Sequence, residues 1–344
     1  MRVAWIDAVK GLAISLIVIG HIWSLENPPL FYLWLFAFHV PVFFFVSGLT
    51  LKPNATALRP FLRQRLIQLM VPYFCYALLG YAFYLLGFMA TRHLDTPPSA
   101  FDYGLWTPLL GILEGRAGDG RLVNSPLWFL PALLIALVIT QTINRQLTHR
   151  AAAVIAALGI AGVGLLLAPH LALPMSAVAG LIAVAFIQAG YEYQRAGYPL
   201  PKNNAVIAIL LLGSVGISLL APLNGAVGLA GPTVNHPLGF MFFAANGIAL
   251  CLLLARAIPA PLCGLLARIG QHSLAILVLH MLLIKSIKVA GAGIFGVSFS
   301  EMEHSVLAGC VILAVTALAL IPSVLIVERW LPYTLGRWRT RTAR

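Results

Sequence analysis

Long apolar runs separated by short polar gaps divide the chain from one end to the other. A helix of roughly 20 apolar residues crosses a hydrocarbon core of about 30 Å, so each such run predicts one membrane span. Ten runs are present, at residues 8–26, 30–51, 66–91, 125–144, 151–168, 173–191, 204–222, 237–255, 271–292 and 305–327. The pattern predicts an all-α, polytopic membrane helix bundle of about ten helices, forming a single domain over residues 1–344.

Composition supports a membrane protein, because 60% of the 344 residues are apolar and only 9% are charged. Such a chain has too little polar surface to cover a soluble globule. The first run has span length and lacks a small-residue cleavage site, so we expect a retained helix rather than a signal peptide. The longest gap, residues 92–124, contains a short amphipathic pattern that predicts an interfacial helix.

The basic and acidic residues sort to opposite sides of the predicted membrane. With a cytoplasmic N-terminus, the inner side receives Arg2, Lys10, Lys52, Arg59, Arg63, Arg65, Arg145, Arg150, Arg195, Lys202, Arg256, Arg268, Arg329, Arg337, Arg339, Arg341 and Arg344. The outer loops receive Glu26, Asp95, Asp102, Glu114, Asp119, Glu301 and Glu303. The positive-inside rule therefore predicts that both termini are cytoplasmic. It also accounts for the net charge of +12 without a nucleic-acid partner, and the basic, aromatic tail from Arg329 is expected to contact membrane lipids.

The four cysteines indicate neither a disulfide framework nor a metal site. They lie in or beside different predicted spans, without a CxxC spacing or histidine neighbours: Cys75, Cys251, Cys263 and Cys310. We therefore expect no metal cofactor.

Ionisable residues inside the first two runs are the main candidates for chemistry, because such residues are costly in a membrane. At 100° per residue, Lys10 and His21 fall within about 20° of each other, and Asp7 lies about 40° from His21. In the second run, His39 lies near the predicted depth of His21, and the two imidazoles are expected to share a cavity. Lys10 alone is equally consistent with a snorkelling lysine. Ser47 beyond them permits close helix packing.

Arginines after the second run suggest a phosphate site. Arg63 and Arg65 stand at the predicted entrance of the third span, where guanidinium forks would suit a phosphorylated cytoplasmic ligand. Positive-inside bias explains the nearby Lys52 and Arg59.

Later runs add further candidates with open interpretations. Trp128 is either an interfacial tryptophan or part of an outer opening. Ser273 and His280 share one helix face, and His280 is as consistent with a cavity wall as with packing. Lys285 and the nearby Lys288 would either snorkel or meet an anionic lipid-linked sugar. Asn246 is expected to form an interhelical hydrogen bond.

Several motifs resemble the acyltransferase-3 family of integral membrane O-acyltransferases. They are Asp7-x-x-Lys10-Gly11 with ten residues between Lys10 and His21, FHVPVFFFVSG at 38–48, RQRLIQLMVPY at 63–73, SPLWFLPALL at 125–134 and IGQHSLAILVLH at 269–280. Within the family, the chain looks most like compact sugar O-acetylases of the fucose 4-O-acetylase type.

The resemblance implies an O-acyltransferase of the bacterial inner membrane that moves an acetyl group from cytoplasmic acetyl-CoA to a sugar hydroxyl. The acceptor would be a surface or exopolysaccharide glycan or its lipid-linked precursor. The family's basic-x10-His motif falls on Lys10 and His21, and its FHxP histidine on His39. Its arginine pair falls on Arg63 and Arg65 or on Arg65 and position 68, where this chain has Gln68.

Acyl transfer needs a base, a donor to the oxyanion and exclusion of water. We expect His21 to deprotonate the acceptor or to carry the acyl group transiently, while His39 donates to the oxyanion or orients His21. Lys10, Arg63 and Arg65 would hold coenzyme A, and Asp7 would line the path. The alternatives are a glycan or small-molecule transporter, whose two halves often show paired repeats that are not evident here, and a structural subunit of an export complex.

Overall fold

The computed structural model describes residues 4–23, 30–52, 57–93, 101–117, 120–231 and 233–337. The described part is a helical bundle with one short antiparallel pair of strands, β1 (Val227–Gly228) and β2 (Thr233–Val234). Its helices are α1 (Ala4–Ile19), α2 (Leu30–Phe36), α3 (His39–Gly48), α4 (Leu58–Thr91), α5 (Thr107–Glu114), α6 (Phe129–Gln146), α7 (Arg150–Leu167), α8 (Ala177–Arg195), α9 (Asn204–Ser218), α10 (Pro237–Ala257), α11 (Ala260–Gln271), α12 (Ser273–Phe295), α13 (Phe299–His304) and α14 (Val306–Trp330). Single 3₁₀ turns form at Ser125–Trp128, Pro174–Ser176, Ala221–Asn224 and Pro332–Leu335.

Nine helical segments in the described ranges are long and apolar enough to cross a membrane, which confirms a polytopic helix bundle. They correspond to nine of the ten predicted runs. The first run differs, because α1 has only 16 residues and ends at Ile19. Tight turns follow, in which the His21 amide donates to the Val18 carbonyl at 3.1 Å. The end of this predicted run, residues 24–26, lies outside the described residues.

The second predicted run is broken into α2 and α3 at residues 37–38. Pro41 has no N–H to donate to the carbonyl of Ala37, so the helical ladder is interrupted one turn before the proline. The break begins α3 at His39, and the His39 side chain contacts the Leu35 carbonyl near the end of α2. A histidine is therefore held at a helix break inside the bundle.

Helix α4 begins at Leu58, eight residues before the predicted start of the third span at residue 66. Arg59, Arg63 and Arg65 are therefore helical residues rather than loop residues. Helix α5 confirms the short helix predicted in the 92–124 gap. Its Leu110 and Leu113 are exposed while Ile112 is buried, as in an amphipathic helix.

Helix α11 was not predicted, because residues 256–270 separate two apolar runs. It packs lengthwise on α1 through two glycines. A Cβ at Gly11 would overlap the Leu266 carbonyl oxygen, and a Cβ at Gly270 would overlap the Asp7 carbonyl oxygen. Only glycine permits this backbone approach, which fixes the depth and orientation of α1.

Helix α1 lies at the centre of the bundle, in contact with α3, α10, α11 and α12. In contrast, α7, α9 and α14 carry large exposed apolar side chains, as expected for lipid-facing helices. Several charged residues used to predict orientation lie outside the described residues: Arg2, Glu26, Asp95, Asp119, Arg339, Arg341 and Arg344.

Candidate functional site

Two cavities lie end to end along α1, α3 and α12. The first, here called the histidine cavity, has a volume of about 570 Å³. The second, here called the basic cavity, has a volume of about 710 Å³. Each of these helices contributes residues to both cavities. Helix α1, for example, contributes Asp7 and Lys10 to the basic cavity and Ile17 to the histidine cavity. His21, just after α1, also lines the histidine cavity.

The histidine cavity brings together the two histidines expected to share a site. His21 and His39 both line it, and so does Trp128, whose side chain is buried. His39 Nδ1 lies 2.8 Å from the Leu35 carbonyl oxygen. Because a carbonyl only accepts, Nδ1 carries the proton and Nε2 keeps a lone pair in neutral His39. The geometry therefore makes His39 Nε2 a potential base.

His280 lies behind His21 rather than in the cavity lining. Its ring is fully buried, with its centroid 5.3 Å from that of His21. Nδ1 lies 3.0 Å from the Ile276 carbonyl oxygen, while Nε2 is buried and has no hydrogen-bond partner among the described residues. A buried acceptor without a partner is costly. His280 therefore meets His21 through a ring contact and not through a hydrogen bond within the described residues.

Two lysines of α12 and one glutamate complete the charged lining of the histidine cavity. Lys285 Nζ donates to the Val123 carbonyl oxygen at 2.7 Å. Lys288 Nζ lies 2.9 Å from Glu303 Oε1. Lys288 is only 5% exposed, so it does not snorkel to the surface.

The basic cavity contains the predicted residues near the start of α1. Asp7 and Lys10 both line it, and their side chains pair at 3.4 Å. Ser47 and Ser273 lie in the same lining. Ser47 Oγ donates to the Phe43 carbonyl within its own helix at 2.9 Å.

The structure separates the two predicted arginines. Arg65 lines the basic cavity and donates to Gln68 Oε1 at 2.9 Å, and Gln68 is also a lining residue. Arg63 is exposed and is not part of the lining. Of the two pairings that the family motif allowed, Arg65 with position 68 is the one that shares the cavity. Lys52 also lines it.

Two contributions to these cavities were not predicted. Arg337 lines the basic cavity and pairs with Glu328 at 3.0 Å, although its tail was expected to lie on the lipid surface. Residues 227–230, which include β1, line the histidine cavity from a loop between scaffold helices. Neither contribution has a local sequence signal, because each depends on a contact between distant parts of the chain.

Phe129 and Leu277 line both cavities, so they form the boundary between them. Phe129 packs against Phe44 and Phe43, with ring centroids 4.8 and 5.8 Å away. Both boundary residues are 6% exposed. These two apolar residues, here called the septum, therefore separate the basic cavity from the histidine cavity.

Other polar predictions fall into structural roles. Asn246 and Ser214 form reciprocal hydrogen bonds between α9 and α10 at 3.0 Å, as expected for interhelical contacts. Within the described ranges, all four cysteines are free and no group of three or more His, Cys, Asp or Glu side chains is arranged to hold a metal ion.

The fold and the two cavities define a multi-pass membrane protein with ionisable side chains inside the bundle. The family model Acyl_transf_3, described as an acyltransferase domain, matches residues 3–328, and the chain belongs to this acyltransferase-3 family. A search of curated proteins and a search of solved structures found no match.

Proposed function

We propose that the protein transfers an acetyl group from cytoplasmic acetyl-CoA to a sugar hydroxyl of a surface or exopolysaccharide glycan or its lipid-linked precursor. In this proposal it lies in a bacterial inner membrane and resembles the compact sugar O-acetylases of the fucose 4-O-acetylase type. The observation that carries the proposal is the meeting of a cationic cavity and an imidazole-lined cavity at one apolar septum. Membership of an acyltransferase family supplies the reaction class.

The basic cavity suits the donor. Among the residues that the structure describes, its charged lining is four cations and one carboxylate, namely Lys10, Lys52, Arg65, Arg337 and Asp7. Coenzyme A carries several phosphates, and ammonium and guanidinium groups bind phosphate through charge-assisted hydrogen bonds. In the orientation predicted from charge, this cavity opens toward the cytoplasm, where acetyl-CoA is made.

The histidine cavity suits the acceptor and the chemical step. In a direct transfer, an imidazole takes the proton of the sugar hydroxyl while the hydroxyl oxygen attacks the thioester carbonyl carbon. The C–S bond then breaks, and the coenzyme A thiolate takes a proton from the imidazolium. The bond from His39 to Leu35 leaves Nε2 of neutral His39 without a proton, which favours His39 as this base. The sequence alone suggests instead His21 as the base and His39 as the residue that donates to the oxyanion or orients His21. His21, whose ring lies against His280, serves as a second catalytic residue or as the transient acyl carrier.

The septum of Phe129 and Leu277 has a further role in this scheme. Water that reached the thioester would hydrolyse it, and an apolar barrier between the chambers limits such access. Only the acyl end of the donor would need to pass between the two side chains. The two substrates would then meet without mixing the cytoplasmic and outer solvents.

A direct test uses purified full-length protein with radiolabelled acetyl-CoA and a glycan extract. We expect label in the glycan with wild-type protein. A general base contributes about 10²–10⁴ to rate, so His21→Ala and His39→Ala should lower transfer by about that factor. His170→Ala is the matched control, because His170 is exposed at the end of α7.

Transfer at the wild-type rate by both cavity variants would contradict the assignment of the site. A protein that moved glycan across vesicles but ignored acetyl-CoA would instead be a transporter. Mass spectrometry of surface glycans from a deletion strain would identify the acetylated sugar.

A further inference from the structure

The charged groups of the histidine cavity come mainly from α12, beyond His280 along the same helix. Lys285 and Lys288 are three residues apart on α12, which places them on adjacent turns of one face. Both line the cavity together with Glu303. Two lysines against one glutamate give a net charge of +1 among the described lining residues when the imidazoles are neutral.

One of these cations lacks a carboxylate partner in the described part of the chain. Glu303 pairs with Lys288, whereas the contact of Lys285 is a neutral backbone carbonyl at 2.7 Å. An ammonium has three N–H donors, so one hydrogen bond to Val123 leaves it capable of binding more. A buried charge is costly unless it is paired. The arrangement is therefore suited to a negatively charged ligand.

The position of the lysines along α12 indicates where such a ligand would sit. They follow His280 by five and eight residues, about 7.5 and 12 Å along a helix. His280 lies beside His21, so the backbone positions of the two lysines lie about 7.5 and 12 Å farther along α12 than this pair of imidazoles. The shorter of these two spacings is comparable to the length of a sugar ring with one substituent. Flat aromatic faces in the same lining come from Trp23, Phe36 and Trp128.

We infer that the acceptor is an anionic sugar, whose carboxylate or phosphate is held by Lys285 and Lys288 while a hydroxyl on another part of the ring faces the imidazoles. The inference rests on the proposed function, because the bound sugar is an acceptor only if the protein transfers an acyl group to it. The shared chemistry is a sugar with an anionic substituent. A uronic acid of a glycan and the phosphate of a lipid-linked sugar are its two sources.

Three probes distinguish the possibilities by their binding to the full chain in detergent: a methyl glucoside, the matching methyl glucuronide and a glucosyl phosphate. We expect at least one charged sugar to bind about tenfold more tightly than the neutral one, since a close charge pair contributes more than 1.4 kcal/mol. Preference for the glucuronide identifies an acidic glycan. Preference for the phosphate identifies a phosphorylated precursor.

A charge series in this cavity makes the test specific. Lys285→Met lowers the net charge of the described lining to zero and should weaken the charged sugar about tenfold. Glu303→Gln raises it to +2 and should strengthen binding, while Lys285→Arg should retain it. Because Glu303→Gln acts in the opposite direction, the result does not depend on the stability of Lys285→Met. Lys202→Met is the control at an exposed position.

Equal affinities for the three sugars, including no binding of any, would overturn the inference. The inference would also be overturned if the affinity for the charged sugars were the same in all of these charge variants. Binding of coenzyme A is measured separately in wild-type protein. Its absence would count against the proposed function and would leave the sugar measurements intact.

Discussion

The two cavities are built from the same three helices but differ in their polar side chains. In the basic cavity, α1, α3 and α12 supply Lys10, Ser47 and Ser273, and Arg65 comes from α4. In the histidine cavity, α3 and α12 supply His39 and Lys285, and the turns after α1 supply His21. One set of helices thus provides cationic and hydroxyl groups at one end and imidazoles at the other. If the proposed function holds, binding of the donor and chemistry on the acceptor can be changed separately.

The helix break before Pro41 explains how α2 and α3 together line both cavities. An unbroken helix would satisfy the Leu35 carbonyl through the backbone alone. Here the carbonyl also accepts a hydrogen bond from His39, which fixes the tautomer of the imidazole. The same α3 continues to Ser47 in the basic cavity. The break therefore orients the His39 imidazole in the histidine cavity, while the other end of α3 lines the basic cavity.

The largest effect that separates the cavities is expected at Arg65. Arg65→Gln removes a guanidinium from the basic cavity, and a hydrogen bond to a charged group contributes about 1.5–3 kcal/mol. We therefore expect KM for acetyl-CoA to rise about 10- to 100-fold, with kcat at saturating donor nearly unchanged. Steady-state kinetics at varied acetyl-CoA measures both constants.

Arg63→Gln provides the decisive comparison, because Arg63 is one half-turn away but exposed. A smaller effect there would support the cavity formed by Arg65 and Gln68, and an equal effect would restore the Arg63–Arg65 pairing of the sequence motif. Arg329→Gln, in a residue stacked on Trp330, is the control for a lost surface arginine.

Periodicity and charge predicted much of this architecture from the sequence. The apolar runs located nearly all the long helices, and helical spacing predicted one polar face for Asp7, Lys10 and His21. The structure divides these residues between two adjoining cavities, with His21 in the turns after α1 ends at Ile19. The unpredicted parts depend on tertiary contacts. Helix α11 is too short and too polar to register as a span, and it is fixed by the approach of Gly270 to α1.

The partners of Arg337 and His39 show the same limit at the level of single side chains. Arg337 reaches the basic cavity because the 3₁₀ turn Pro332–Leu335 packs beside α4, which no local pattern signals. The role of His39 depends on which carbonyl the helix break exposes to it. Sequence identified the residue types, and the packing determines which of their atoms are available.

The boundary between the cavities is expected to control the length of the acyl group. Phe129→Leu shortens the side chain at the septum and should favour longer acyl donors. One methylene in an apolar pocket is worth about 1–3 kcal/mol, so the ratio of kcat/KM for butyryl-CoA to that for acetyl-CoA should rise about tenfold. Competition between the two donors measures this ratio.

Phe186→Leu is the matched control for a lost aromatic ring. Phe186 is buried against Phe240 and lines neither cavity. An unchanged donor preference in Phe129→Leu would mean that the acyl group does not pass this septum, and the two cavities would then act as separate sites.

The smallest expected effect on this comparison concerns the contact between α1 and α11, because α1 lines both cavities. Gly270→Ala places a methyl group against the Asp7 carbonyl oxygen of α1. The overlapping atoms are backbone, so the two helices must move apart, and the cost lies at or above the upper end of the roughly 1–3 kcal/mol range for overpacking. The better helix propensity of alanine offsets only up to about 1 kcal/mol. We therefore expect a net loss of about 2 kcal/mol or more in the free energy of unfolding, measured by thermal unfolding in detergent. Gly264→Ala lies in the same helix with open space around its Cβ, and it should be neutral or stabilising.

Equal stability of the two variants would show that α1 and α11 can separate without cost. The position of Asp7 in the basic cavity would then not depend on this glycine contact.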